Sequence, residues 1–485
     1  MEPAAPRGAT IRQPADGNAG LRSAVSVFVP LSTAEASTLL HLRAGVPGAT
    51  QAGLTRLPST ERRVVLVRID EGVRRGALAA ADSETVARAA SMALAQRLPL
   101  VVVLASSGAD IWEGVASLDG WGRAAKALAD CSGIVPVVIV TYGLAVSGPA
   151  LLLGMADAVV MTGDAVAYVS GPAAVNQLTG QHLAPEELGG QRVHARSTGV
   201  ATLVAADGEG ALESVAALLD YLPDHADDEA PVLRSADPWD RSTPELRDLL
   251  PSSPTGSYDV RRAIAAIADD GDYLELRAAW APQMVTALCR IDGRPVGVVA
   301  NQPQSMAGTL DIAASQKGAR FVEFCDSFNV ALLTLVDTPG FMPGKDLEWR
   351  GMIRHGAQLV FSYAEATVPR VCLILRKAFG GAYIVMDSKG MGNDLCLAWP
   401  SAQVAVMGAS GAVQILHRRE TPETQARLAE EYEEEYLNPY VAAARGFVDE
   451  VVDPADSRRA VAGAMRMLAT KREKLVRRKH ANGPL

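Results

Sequence analysis

The apolar runs of this chain have the length of strands: LPLVVVLAS at 98–106, IVPVVIVTY at 134–142, NVALLTLV at 329–336 and TVPRVCLIL at 367–375. None alternates polar with apolar positions, as a strand with one wet face would. Strands apolar on both sides, separated by helical segments, predict parallel sheets covered by helices. The run 132–156 is uncharged and long enough to cross a bilayer. Pro136, Gly143, Gly148 and Pro149 break it, so it reads as a buried strand, a turn and the start of an apolar helix.

The same pattern is written twice. IVPVVIVTYGLAVSGPALLLGM (134–155) and TVPRVCLILRKAFGGAYIVMDS (367–388) lie in register at a constant offset of 233 residues. Upstream, LPLVVVLASSGADIWEG faces NVALLTLVDTPGFMPG; downstream, AVAYVSGPAAV faces QVAVMGASGAV. Each half then runs helix, buried strand, Gly-rich loop, helix, second strand, small-residue turn, helix and third strand. The fold class is α/β, in two tandem domains related by duplication. The expected organisation is a disordered leader at 1–22, domains at 23–223 and 257–485, and an acidic, proline-rich surface connection at 224–256.

Composition narrows the function. Of 485 residues, 48% are hydrophobic and 21% charged, an ordinary globular balance. With 46 Lys and Arg against 55 Asp and Glu, a net charge of −9, no basic field draws in nucleic acid or an anionic membrane. The basic tail KREKLVRRKHANGPL reads as a solvated end. Five cysteines, none at CxxC spacing, and histidines without HxH or HExxH spacing predict no metal site and buried thiols in a reducing cytoplasm. The polar N-terminus has no apolar signal core.

Chemistry is suggested where a buried strand ends in small residues before a helix, as in RKAFGGAYIVM (376–386). The first amides of a helix have no partner within it, and tiny side chains let a ligand oxygen approach them. Such a corner is an oxyanion hole made of backbone. For a lone Gly-Gly pair, close packing of strand and helix would be the better explanation; its recurrence in the duplicated frame weakens that explanation and strengthens the case for the hole.

The second half contains GVVANQPQSMAGTLDIAASQKGARFVEFCDSFNVALLTLVDTPGFMPG, GMIRHGAQLVFSYAEATVPRVCLILRKAFGGAYIVM and AWPSAQVAVMGASGAV. Through these stretches it resembles, nearly end to end, the carboxyltransferase β subunit of biotin-dependent acyl-CoA carboxylases of the propionyl-CoA and acetyl-CoA type. The first half is similar in SGADIWEGVASL, SGIVP and GPAAVNQLTGQHLAPEELGGQRVHARSTGVA, and hardly at all before residue 90. The resemblance implies two crotonase-like domains per chain, and active sites where the first half of one subunit meets the second half of another. It also implies an oligomer, a hexamer of this chain or a mixture with a paralogue. Carboxybiotin, on a biotin carboxylase and biotin carboxyl carrier α subunit, would pass its carboxyl group to an acyl-CoA or other acyl thioester through two enolates.

By the same resemblance, the amides of Gly381 and Ala382 hold the biotin ureido oxygen, in a biotin site with Phe379 and Gly380. The acyl thioester hole lies at Ser147 and Gly148, and Gly108, Ala109, Gly143 and Ile384 line the substrate side. The chain departs from the family here. Its first-half hole reads GLAVSGP where the family writes GPCAGGA, so Pro149, which has no N–H, stands where the repeat places Ala382. The loop DSGGAR is shortened to SSGAD, putting Asp110 where an arginine would meet the CoA phosphates, and the usual helical arm before the first domain is missing. Ile384, where propionyl-type relatives carry aspartate, either tunes acyl length or packs in the core. His194, His355 and the turn at Asp337 read as structural, Asp337 being a general base only if biotin is not involved. No Walker loop and no Met-Lys-Met motif occurs. Two other readings remain open: a non-catalytic or half-active β-type subunit, and a biotin-independent decarboxylase or hydrolase.

Overall fold

The computed structural model describes residues 48–484, apart from residues 59 and 254; the expected leader lies outside them. The first sheet contains β1 (Thr50–Arg56), β2 (Arg63–Ile69), β3 (Leu100–Ser106), β4 (Val137–Val146), β5 (Ala158–Thr162), β6 (Val166–Tyr168) and β7 (Leu203–Ala205). The second contains β8 (Tyr273–Leu276), β9 (Met284–Ile291), β10 (Arg294–Asn301), β11 (Ala331–Thr338), β12 (Arg370–Phe379), β13 (Leu395–Ala398), β14 (Gln403–Ala405) and β15 (Glu450–Val451). Strand order is β1-β2-β3-β4-β5-β7 in one and β9-β10-β11-β12-β13-β15 in the other, with β8 added beside β9. In both, a short strand joins the C-terminal end of the fourth strand, β6 on β4 and β14 on β12.

The duplication thus reaches back before residue 98, further than the three matched blocks. β2 and β10 each lead into a turn of left-handed residues, Arg74-Arg75-Gly76 and Met306-Ala307-Gly308, at matching places. The sheets are mixed rather than wholly parallel. β1 runs antiparallel to β2, and β9 runs antiparallel to both β8 and β10. β9 and β10 are joined by Asp292 and Gly293 alone, with φ of 54° and 74°, the two-residue turn that only antiparallel neighbours accept.

Both faces of the strands are buried, as their unbroken apolar runs require. Val65, Val67, Val102 and Ile139 face the helices Ala80–Gln96 and Val115–Cys131. Their neighbours Val64, Leu66, Val103 and Val140 enter an apolar layer that also holds Leu332, Val336 and Ile374 of the second sheet, so the two halves share a core. The run 132–156 is a strand, a turn and a helix, Gly148–Leu153, as its breakers predicted. Among the described residues no helix is long and apolar enough to cross a membrane, and the five cysteines are unpaired and buried.

The connection at 224–256 departs from expectation, because it is not merely a surface strap. Thr243, Leu246 and Leu249 are buried, and Leu246 and Leu249 pack in the core of the second half with Val461 and Met465. The buried Arg458 donates to Asp269 Oδ1 at 2.7 Å and to the carbonyl of Pro238 at 3.1 Å. Two leucines three residues apart supply an apolar face that the acidic composition hides.

The seam between halves is tight at Gly199, whose φ is 69°; a Cβ there would fall 2.4 Å from the Trp280 ring. Arg277 Nε donates to the Gly199 carbonyl at 2.9 Å, and the buried Lys317 ties the same turn through the carbonyls of Arg277 and Trp280 at 3.0 and 2.8 Å. Gly199→Ala meets both a left-handed backbone and an aromatic ring. It is expected to lose roughly 1–3 kcal/mol in urea unfolding, whereas Gly180→Ala, left-handed but with open space at its Cβ, should lose less.

Candidate active site

Two equivalent corners end β4 and β12. Each strand first pairs with one neighbour and then, after an irregularity opposite Leu104 to Ser106 or Val336 to Thr338, with its short companion strand. The chain then reverses into a six-residue helix, Gly148–Leu153 or Gly380–Val385. The reversal is made by Ser147 in one copy and Gly380 in the other, at φ of 61° and 60°.

The second corner is open. Gly381 is exposed, and a Cβ added there would meet nothing nearer than Phe341 Cε2 at 3.6 Å. In the first turn of its helix its N–H has no intrahelical acceptor. Ala382 follows, its residue fully buried beneath the opening. Phe379, expected beside biotin, turns inward and packs with Ala409 and Leu437, so it supports the corner from behind. Ile384 is 43% exposed one helical turn beyond Gly381, which excludes the reading that it merely fills the core.

The first corner is tighter. A Cβ on Gly148 would lie 2.8 Å from Trp121 Nε1, and Pro149 is buried. Of the two amides expected to form this hole, that of Ser147 is already spent, donating to the Tyr168 carbonyl at 3.0 Å where β6 joins β4. Gly148 N–H is the backbone donor that remains. Gly108 stands beside it, its missing Cβ 3.8 Å from that of Ser147, and Ala109 follows in a bridge to Leu78. Gly143 sits four residues before Ser147 with φ of 57°, against the Glu71 carboxylate.

Asp110 does not face a CoA phosphate. It is buried at 3% exposure, its Oδ2 bonded to the Arg74 guanidinium and its Oδ1 accepting the Trp112 amide at 3.0 Å. An arginine from the left-handed turn after β2 therefore neutralises the acid that the shortened loop introduced. Asp337 is likewise committed, its Oδ2 accepting from Arg376 Nε at 3.0 Å and its Oδ1 from the Lys377 amide at 3.1 Å. Burial pushes its carboxyl above the usual range against the pull of Arg376, and the pair braces the last residues of β12. His194 bonds the Ala167 carbonyl and Thr198 Oγ1, and His355 bonds Gln316 and Gln358, so both are structural.

Phe341 was missed. It forms the bridge to Leu310 that Ala109 forms to Leu78, so it is the duplicate of a residue already singled out, and it walls the open corner at Gly381. The signal was present in the pairing of SSGAD with TPGFM.

Duplicated strand-to-helix corners of this kind define a class, and the chain belongs to the carboxyl transferase domain family, whose model matches residues 60–483. It is 44% identical over 443 residues to a propionyl-CoA carboxylase beta chain of Saccharopolyspora erythraea, covering 87% of this chain and 81% of the relative. It is 42% identical over 421 residues to the methylmalonyl-CoA carboxyltransferase 12S subunit of Propionibacterium freudenreichii subsp. shermanii, covering 86% and 80%. The hexameric transcarboxylase 12S, solved with methylmalonyl-CoA and methylmalonic acid bound, superposes with a TM-score of 0.88 at 41% identity over 90% of this chain and 85% of that one. The fold is accordingly two tandem crotonase-like domains.

Proposed function

We propose that this chain is the carboxyltransferase subunit of a biotin-dependent acyl-CoA carboxylase, carrying a carboxyl group from carboxybiotin to the α-carbon of an acyl-CoA of propionyl or acetyl type. The observation that carries this reading is the exposed Gly381, in the first turn of its helix at a corner with room above it, in a chain of this family. Carboxybiotin, borne by a carrier on a partner subunit, supplies the activated carboxyl group. The amide of Gly381 faces its ureido oxygen with the buried Ala382 behind it, Phe341 walls the site, and Gly148 N–H faces the thioester oxygen of the acyl group. Donors fixed before the reaction stabilise developing negative charge without reorganising. The two corners belong to complementary sites on two copies. In support, Ile111, Trp112 and Val115 beside the first corner, and Trp349, Ile353 and Val406 around the second, are apolar and largely exposed in the single chain. Residues 23–223 and 257–485 are the acyl-side and biotin-side domains, joined through 224–256, and the assembly works in the cytoplasm as a hexamer.

The test supplies the purified chain with a biotinylated carrier, biotin carboxylase, ATP and labelled bicarbonate, and screens acetyl-, propionyl- and butyryl-CoA. Label should enter an acyl-CoA, and only when the carrier is present. Incorporation into none of them would end this reading.

A further inference from the structure

Trp121, on the helix Val115–Cys131, lays its indole against the first corner. Nε1 is its atom nearest to where a Cβ on Gly148 would stand. That nitrogen is shielded from solvent and has no hydrogen-bond partner. A buried indole N–H ordinarily finds an acceptor, so an orphan calls for an explanation. It lies at a corner short of donors, since Pro149 has no N–H and the Ser147 amide is spent on Tyr168.

Ser147 adds a second observation. Its φ of 61° and ψ of −129° lie where glycine is at home and other residues are strained. Other residues of positive φ, such as Arg75 with ψ of 32° and Asp270 with ψ of 12°, occupy the milder left-handed helical region. Glycine would relieve Ser147, as Gly380 shows at the equivalent position. The chain instead keeps a strained serine whose residue is exposed at the mouth of the corner.

We propose that the acyl half has exchanged backbone donors for side-chain donors: Trp121 Nε1–H and Ser147 Oγ–H join Gly148 N–H in holding the carbonyl oxygen of the acyl thioester. The proposal rests on the carboxyltransferase reading. No bond forms or breaks at either side chain; each donates a hydrogen bond that strengthens as the oxygen gains negative charge. Because Nε1 is covered in the free chain, the indole lifts from Gly148 when the thioester enters.

The test uses Trp121→Phe, which keeps an aromatic ring but removes the donor, and Ser147→Gly, which removes the hydroxyl and relieves the backbone. Each should lower kcat for acyl-CoA carboxylation by about 100-fold, the usual effect of losing one hole donor, with KM little changed. Ser147→Gly should also melt at the same or a higher temperature, which a structural role for the serine does not allow. Wild-type kcat in either variant overturns the proposal. A binding measurement needs no turnover: wild type should bind propionyl-CoA about tenfold tighter than its thioether analogue, which lacks the carbonyl oxygen, and Trp121→Phe, with two of the three donors left, should discriminate between them less than wild type does. Equal binding by wild type overturns the donor assignment. Discrimination by wild type without label transfer to any acyl-CoA sinks carboxyl transfer instead and leaves the donors standing.

Discussion

Gly381→Pro is expected to reduce carboxylation by about 100 to 1000 fold, equivalent to roughly 3–4 kcal/mol of lost transition-state stabilisation, while leaving the melting temperature nearly unchanged. The substitution deletes one N–H and little else. Proline is tolerated in the first turn of a helix, where that N–H has no intrahelical acceptor. Space is available, since the nearest atom to a new Cβ is a Phe341 ring carbon at 3.6 Å. The preceding residue, Gly380, already takes a conformation that other residues resist. Ala382→Pro is the companion variant, and its fold is vouched for within the molecule, because Pro149 occupies that place in the other copy. If both amides serve the biotin oxygen, it should lose activity to a similar degree. Both are read by transfer of labelled carboxyl from the biotin carrier to acyl-CoA, alongside calorimetry. Full turnover by Gly381→Pro in a well-folded protein would show that the open corner is not where the chemistry occurs.

The sequence showed the corners because their physics is local: a strand apolar on both faces, then residues too small to cover the backbone. It showed the duplication only where those runs align, between 98 and 175 and again between 329 and 413. The earlier part of the repeat was hidden because Arg74-Arg75-Gly76 and Met306-Ala307-Gly308 share backbone angles and hardly any side chains. The hairpin at Asp292-Gly293 was legible as IDGRP between two apolar runs, and the expectation of purely parallel sheets passed over it. Asp110 shows the opposite limit. Read alone it was an acid facing phosphate; its partner Arg74 stands 36 residues earlier, brought to it by a turn that no local pattern announces. The Ser147 amide was lost to Tyr168 in the same way, through strand pairing across 21 residues.

Arg370→Met should be the most damaging change to stability that leaves both corners untouched. Arg370 and Asp387 are buried at 2% and 0% exposure and paired at 2.8 Å; the same guanidinium also donates to the carbonyls of Tyr363 and Gly392. It thereby fastens the segment after the helix Gly380–Val385 to the start of β12, so the hole is held from both ends. Removing one partner of a buried pair leaves an uncompensated charge, at a cost of about 3–5 kcal/mol, a large part of the roughly 5–15 kcal/mol that holds a domain folded. The loss should carry a pH signature. Burial pushes the Asp387 carboxyl up to about 6, Arg370 pulling it back only in part. Against an ordinary value of about 3.9, the folded chain binds a proton in that window that the unfolded chain has released, so this group's contribution falls as pH rises from about 4 to about 6. Without Arg370 the folded value climbs further and the decline extends past pH 6. The deficit of the variant in urea unfolding should therefore be largest near pH 7.5 and shrink toward pH 5, and Asp387→Asn in the same chain should recover much of it. A deficit that is flat across this range, and unmoved by Asp387→Asn, would mean that the guanidinium acts through its carbonyl bonds rather than through the buried carboxylate.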